Sequence, residues 1–361
     1  MENLDIIKKE ALHLLKELIR TPSLSKSEDK TADILQAFLK EKKVGTHRKG
    51  NNIWAFHRDY DSSLPTVMLN SHHDTVKPNQ GYTLDPYNPL TSAGKLFGLG
   101  SNDAGGCLVS LLATFVYFLG RPLPVNLLFV ASAEEEISGK GGMESLIPFL
   151  PEMACAIVGE PTEMKMAVAE KGLMVVDATV KGKAGHAARE EGVNAIYEAL
   201  DDLIAIKGFK FKKVSPFLGP NKVSATIIHA GSQHNVVPDQ CTYTLDVRVT
   251  DAYSLEEALK ELQQELKAEL QPRSLRLNSS HIDEHHPMVR AGKSLQLETF
   301  GSPTLSDQAL IPYPSVKIGP GDSARSHSPD EFIYIEEINQ GISIYINLLE
   351  TYFSILNQPK K

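Results

Sequence analysis

The chain has 361 residues, more than one hydrophobic core usually supports, so two domains or one domain with a large insertion are expected. Apolar residues make up 42% and charged residues 23%, the balance of an ordinary soluble globular protein. The net charge of −8 argues against nucleic acid and anionic membranes as partners, and reads as a solvated surface.

Cys107, Cys155 and Cys241 sit in apolar runs and form no CxxC pair, so they read as reduced packing residues. The start Met-Glu-Asn-Leu-Asp lacks the cationic start and apolar core of a secretory signal. No uncharged run approaches the roughly 20 residues of a membrane span. The expected location is therefore the cytoplasm.

Leu4, Ile7, Ala11, Leu14, Leu15 and Leu18 recur at helical spacing, and Thr21-Pro22-Ser23 ends that pattern. A second amphipathic helix is expected over about 28–42, then strands at 52–56 and 66–69. The second of these strands runs into Leu-Asn-Ser-His-His-Asp-Thr-Val, 69–76. In extended chain, residues i and i+2 share a side, so His72 and Asp74 are expected together at the carboxyl end of a central strand, where open α/β sheets place ligands. A metal would sit there, with Asp74 fixing the tautomer of His72. Alone, His-x-Asp is a common pattern; its recurrence downstream gives it meaning.

After a long loop comes Gly98-Leu-Gly-Ser-Asn-Asp-Ala-Gly-Gly, which sets Asp103 between glycines before an apolar helix, 106–119. The Gly-Lys-Ser/Thr of a phosphate loop is missing, so Asp103 reads as a metal carboxylate, a role compatible with capping the helix. Residues 125–133 read as a buried strand that ends in Glu134, Glu135 and Glu136. Such a run is often a solvated face; at the mouth of a core strand it is costly to desolvate without cations. Cys155–Val158 repeats the pattern and delivers Glu160. A late strand at 315–318 leads through Gly319-Pro-Gly to His327. Parallel α/β sheets gather such ends on one edge.

Between these parts the chain alternates as strands at 173–182, 222–230 and 241–250, with helices at 192–207 and 254–268, the latter opened by a Ser254/Glu257 capping box. The fold class expected is α/β: a mixed-sheet catalytic domain, residues 1–174 and 288–361, with an inserted α+β sandwich, 175–287. His285-His286-Pro287 reads as the return linker. There is no internal repeat and no low-complexity segment.

With His-His-Asp at 72–74, the glycine-flanked Asp103, Glu-Glu-Glu at 134–136, Gly-Glu-Pro-Thr at 159–162, Gly-Lys-Ala-Gly-His at 182–186 and Ser-His-Ser-Pro-Asp-Glu at 326–331, nearly the whole chain resembles the co-catalytic zinc aminoacylase and carboxypeptidase family. That family includes acetylornithine deacetylase and succinyl-diaminopimelate desuccinylase. Position by position, the resemblance implies that His72 and Glu160 bind one metal, that Glu136 and His327 bind a second, and that Asp103 bridges them. Two Zn2+ ions are implied, with Co2+ or Mn2+ as substitutes. Glu135 matches the general base, Asp74 the residue behind the first His, and a cis peptide is implied at Asp103–Ala104. Most relatives have Asp where Glu134 stands, which opens the frame of the triplet to question; aligning Ala-Glu-Glu-Glu-Ile-Ser-Gly keeps Glu135 as base and Glu136 as ligand.

His186, on the insert, matches a histidine that supports the oxyanion from a neighbouring subunit, which implies a homodimer; otherwise it is a surface histidine. The proline that usually follows it is absent here. Asn235 and Arg248 look like the substrate-contacting pair, although a strand arginine two residues from Asp246 is often only a paired surface group. Gly319 and Gly321 offer backbone amides to substrate or form a simple tight turn. Lys171, Arg189 and Arg325 motivate a succinyl rather than an acetyl group. The function implied is removal of a small acyl group from an N-acyl amino acid, nearest to N-acylornithine and hence to arginine biosynthesis. The alternatives are a desuccinylase or deblocking enzyme of lysine biosynthesis, a metallo-dipeptidase, a non-catalytic binding protein on the same fold, and, against the glycine pattern, a nucleotide-binding protein.

Overall fold

The computed structural model describes residues 3–357. The chain divides into two compact units, one of Met1–Val168, Ile282–Phe300 and Ser306–Lys361, the other of Ala169–His281 and Gly301–Leu305.

In the first unit the sheet runs in the order His47–Lys49, Asn52–Phe56, Asn126–Ser132, Thr66–His72, Cys155–Val158, Ser315–Lys317 and Met166–Glu170. The four strands from Asn126–Ser132 to Ser315–Lys317 are mutually parallel, and antiparallel pairs flank them. Thr66–His72 and Asn126–Ser132 are buried along their whole length, which explains their lack of polar alternation. Helices Leu4–Arg20, Gly106–Tyr117 and Ile335–Leu356 pack over one sheet face, with Leu15, Leu69, Phe115 and Tyr345 in their shared core. Met68, Leu128, Val130 and Val158 build a second core on the opposite face.

Helix Leu4–Arg20 starts at Asn3, whose side chain accepts the N–H of Asp5, and buries the expected Ile7, Ala11, Leu14, Leu15 and Leu18. One expectation needs correction, and one helix is additional. His285-His286-Pro287 is no linker: His286 caps a helix, Pro287–Ser294, through its ring nitrogen, with Pro287 in the first turn, where its missing N–H costs nothing. The long final helix Ile335–Leu356 was not anticipated, although Ile338, Ile342, Tyr345, Leu349 and Tyr352 bury one stripe.

In the second unit, Lys222–Ala230, Gln240–Val249, Gly172–Lys181 and Glu269–Pro272 form an antiparallel sheet in that order. Gly172–Lys181 and Gln240–Val249 alternate buried and half-buried residues, as a sheet covered on one face requires. Helices Ala195–Gly208 and Leu255–Glu265 supply that cover through Ala195, Ala199, Ala258 and Leu262, and the Ser254/Glu257 capping box is present. All three cysteines are free and buried. Among the described residues, no helix is long and apolar enough to cross a membrane.

Candidate metal centre

The register of the parallel strands decides where chemistry collects. His72 lies opposite Ser132, Asn70 opposite Val158, and Lys317 opposite Val158, so these strands end at one level. The segments that follow carry Glu134–Glu136, Glu160 and His327. Asp103 joins them from the turn before helix Gly106–Tyr117, where the Asp103–Ala104 peptide is cis, as the resemblance implied.

Two groups of potential ligands result: His72, Asp103 and Glu160, and Asp103, Glu136 and His327, with donor atoms in each group within 4.8 Å of one another. Asp103 belongs to both. Its Oδ1 is 3.3 Å from His72 Nε2 and its Oδ2 is 3.6 Å from His327 Nε2. His72 Nε2 stands 3.8 Å from Glu160 Oε1, and His327 Nε2 stands 3.0 Å from Glu136 Oε2. The Glu135 carboxylate reaches within 4.0 Å of His72 Nε2 and ligates in neither group.

This pocket is short of positive charge. Burial, then the charges of Asp103 and Glu136, push Glu160 up to about 8. Burial and the neighbouring Glu160, Asp307 and Glu136 carboxylates likewise raise Glu135 well above the carboxylate range. Burial disfavours a charged His72, yet hydrogen bonds to Asp103 and Asp74 and the nearby glutamates raise it well above the usual imidazole value. The hydrogen bond to Glu136 lifts His327 to about 9. A cluster of N and O donors with uncompensated carboxylates is a fit for divalent cations, which would offset the repulsion these shifts report.

Residues 68–351, which hold every one of these ligands, match peptidase family M20/M25/M40. The chain belongs to that family. It is 26% identical over 358 residues to acetylornithine deacetylase of Edwardsiella ictaluri (89% of this chain, 92% of the relative). It is 24% identical over 382 residues to succinyl-diaminopimelate desuccinylase 2 of a Ruegeria species (95% of each). Among solved structures it resembles the YXEP protein of Bacillus subtilis, described as a dinuclear metal-binding peptidase of the M20 family, with a TM-score of 0.77, 16% identity and coverage of 98% and 100% of the two chains. Membership supports hydrolase activity, and the fold is the α/β mixed sheet of that family.

In this M20 chain the candidate ligands are held by Asp74 and by residues the motifs do not announce. His72 Nδ1 meets the backbone carbonyl of Asp74 at 3.0 Å, with the Asp74 carboxylate farther off at 3.4 Å. That carboxylate instead accepts the N–H groups of Glu135 and Glu136, at 3.0 and 3.2 Å, and the hydroxyl of Ser25 at 2.7 Å. Glu134 adopts φ 56° and turns away from the metal groups; its carboxylate accepts the N–H of Gly141, and its own N–H goes to the buried Glu28. Any side chain at Gly139 or Gly141 would collide with Glu134.

Beneath the strand ends, the Ser132 hydroxyl donates to Asp307 at 2.5 Å and lies 2.9 Å from the side-chain amide of Asn70. Sequence reasoning missed Glu28, Asp307 and Glu331. Only Glu331 stood within a quoted motif, as the last residue of Ser-His-Ser-Pro-Asp-Glu; Asp307 carries no sequence signal.

Several expected substrate contacts are engaged elsewhere. Arg325, expected to meet a substrate carboxylate, forms a two-pronged salt bridge with Glu337 on the final helix, at 2.7 and 2.9 Å, and stacks over Phe332 and Tyr334. Gly319 donates its N–H to Thr162 Oγ1, and a Cβ there would meet Cys107 and the Glu160 carbonyl, so it serves close packing and its amide is not open to a ligand. Gly321, at φ 93°, lies against Asn102.

In the second unit, exposed His186 pairs with Val236, and its Nδ1 accepts the N–H of Ala188. The carbonyl of exposed Asn235 accepts the N–H of Ala187, joining the same two turns. Arg248 grips Asp246 through two hydrogen bonds, at 2.8 and 3.0 Å, the surface pairing that sequence reading kept open. Lys171 donates to the Pro220 carbonyl, and Arg189 lines a groove with Tyr197 and His234.

Proposed function

We propose that this chain is a two-metal amidohydrolase that removes the acyl group from an N-acyl amino acid, with N-acetylornithine as the first substrate to test. The observation that carries the reading is the sharing of Asp103 by two ligand groups, with the Glu135 carboxylate 4.0 Å from His72 Nε2 and in neither group. Zinc suits this imidazole and carboxylate set, with cobalt or manganese as substitutes. Two such ions would polarise the amide carbonyl and make water acidic enough to deprotonate near neutral pH.

Glu135 takes the proton of the attacking water and hands it to the departing amine nitrogen. Asp74 fixes the base by holding its backbone N–H. His186 of a second copy supports the oxyanion, and Asn235 and Arg248 receive the amino-acid carboxylate, Arg248 by exchanging Asp246 for it. The acetyl group is put first because the chain is similar to proteins named acetylornithine deacetylase; Arg325, like Arg248, would have to leave its paired carboxylate to meet one on a substrate. A place in arginine biosynthesis, in the cytoplasm, follows from that substrate.

The same reading includes a homodimer. Lys222–Ala230 ends its sheet with an exposed edge, and Ile227, Ile228 and the nearby helix residues Tyr197 and Ile204 are exposed. An open edge beside apolar side chains is a surface that a second copy would cover.

The test is ornithine release from N-acetyl- and N-succinyl-ornithine by wild type and by Glu135→Ala. Hydrolysis of the acetyl substrate, abolished by chelation and reduced about 10²–10⁴-fold by the substitution, is expected. Faster cleavage of the succinyl substrate would overturn the acetyl assignment. No turnover of either by metal-loaded protein would move the substrate to lysine-pathway amides or dipeptides.

A further inference from the structure

The loop that presents Asp103 is held by one buried side chain. Glu331, 2% exposed, accepts the N–H of Asn102 at 2.8 Å and of Asp103 at 2.9 Å on Oε1, and that of Gly100 at 3.0 Å on Oε2. Its backbone carbonyl accepts the N–H of Gly98 at 2.9 Å. One residue thus satisfies the amides of Gly98, Gly100, Asn102 and Asp103, in a turn whose glycines take φ 145° and 74°.

Glu331 is also anchored from the other side. Directly after it, Phe332–Tyr334 pairs with Lys95–Phe97, the strand that leads into the same turn. Before it, the Asp330 carboxylate accepts the N–H groups of Thr83 and Leu84, both at 2.9 Å. Asn79 Nδ2 donates to the carbonyl of His327 at 3.1 Å. The short segment His327–Glu331 therefore supplies a ligand at one end and the clamp on the shared ligand's turn at the other.

We propose that Glu331 is a positioning residue for the metal pair, fixing the Asp103 carboxylate relative to His327 so that both cations can be held at once. This rests on the two-metal reading above. The chemistry requires a carboxylate: three N–H donors converge on it, and each of its oxygens has spare lone pairs. The amide of glutamine offers one acceptor oxygen, and its NH2 would face a backbone N–H, leaving buried donors unpaired. Loss of the clamp frees the turn that carries Asp103 and so weakens both ligand groups.

The test is metal binding by the full chain, read by competition of Zn2+ or Co2+ with a chromophoric chelator and independent of turnover. Wild type should bind two equivalents. Glu331→Gln should bind at least one of them about 10–100-fold more weakly, the scale seen when groups behind metal ligands are removed. Activity of the variant should then climb with added metal toward the wild-type kcat. Glu331→Asp, which keeps the charge but retracts it by one methylene, should fall between the two and serves as the reading if Glu331→Gln does not fold. Asp202→Ala, a destabilising change in the second unit, should leave both affinities unchanged.

Wild-type affinity for both equivalents in the Glu331 variants would overturn the proposal and leave Glu331 a fold support. Failure of wild type itself to bind any divalent cation would instead sink the two-metal reading on which it rests.

Discussion

Asp74 Oδ1 accepts the backbone N–H of Glu135 at 3.0 Å. This bond crosses between neighbouring strand ends: Asp74 follows Thr66–His72, Glu135 follows Asn126–Ser132, and the two strands are parallel and in register. The carboxylate that looked in sequence like a brace for His72 thus also fixes the proposed base and, through Glu136 N–H, a proposed metal ligand. Asp74→Asn would turn an amide NH2 toward donors and lower kcat/KM about 10–100-fold. Asp74→Ser, which keeps one acceptor but cannot span all three donors, should not restore it. Steady-state kinetics at saturating metal check this; wild-type kcat/KM in either variant would contradict it.

Much of this centre was legible because its donors leave strands as short, unusual polar words: His-His-Asp, Glu-Glu-Glu and Gly-Glu-Pro all follow largely apolar, buried runs. The physics behind that legibility is the parallel sheet, which needs no contact information to bring strand ends together. What stayed hidden depends on pairings between distant positions. Glu331 meets the amides at 100, 102 and 103, and Asp307 meets Ser132, and no local period encodes either bond. Arg325 illustrates the converse. Its motif position suggested a substrate cation, but Glu337, on a helix that was not foreseen, takes its charge.

The exposed edge of the second unit carries its own prediction. Ile228 on the edge strand is 51% exposed and Ile204 on the adjoining helix 69%. Placing a charge there, as Ile228→Lys, should weaken self-association by at least about tenfold, the effect of losing roughly 1.4 kcal/mol from an interface. Sedimentation equilibrium of wild type and variant measures it. A wild type that stays monomeric across the micromolar range would refute the homodimer.

Asp202 anchors a buried polar network in the same unit. Its carboxylate accepts the Tyr243 hydroxyl at 2.9 Å and the N–H groups of Lys267 and Ala268, both at 2.9 Å. Asp202→Ala would strand these donors in a site 2% exposed, at a cost of about 3 kcal/mol or more. Tyr243→Phe removes one partner and leaves the two amides satisfied, so about 1 kcal/mol is expected. Chemical denaturation should rank the two in that order, and an equal effect would show that the hydroxyl alone carries the network.

A last consequence concerns acid. His57 is 6% exposed, its Nδ1 accepts the N–H of Leu127 at 3.1 Å, and its Nε2 is buried without a partner. Burial, with help from the charge of Arg58, lowers its pKa from 6.5 to about 4. The fold therefore holds the neutral ring, while the unfolded chain takes up a proton from about pH 6.5 downward. The sign follows: the stabilisation is complete above that value and is lost as pH falls toward 4, amounting to about 3 kcal/mol at most. His57→Gln keeps an acceptor for Leu127 and cannot titrate. Its stability should fall less steeply between pH 6.5 and 4 than that of wild type, measured by urea unfolding of the metal-free protein at each pH. Parallel curves for the two proteins would assign the acid sensitivity to other groups.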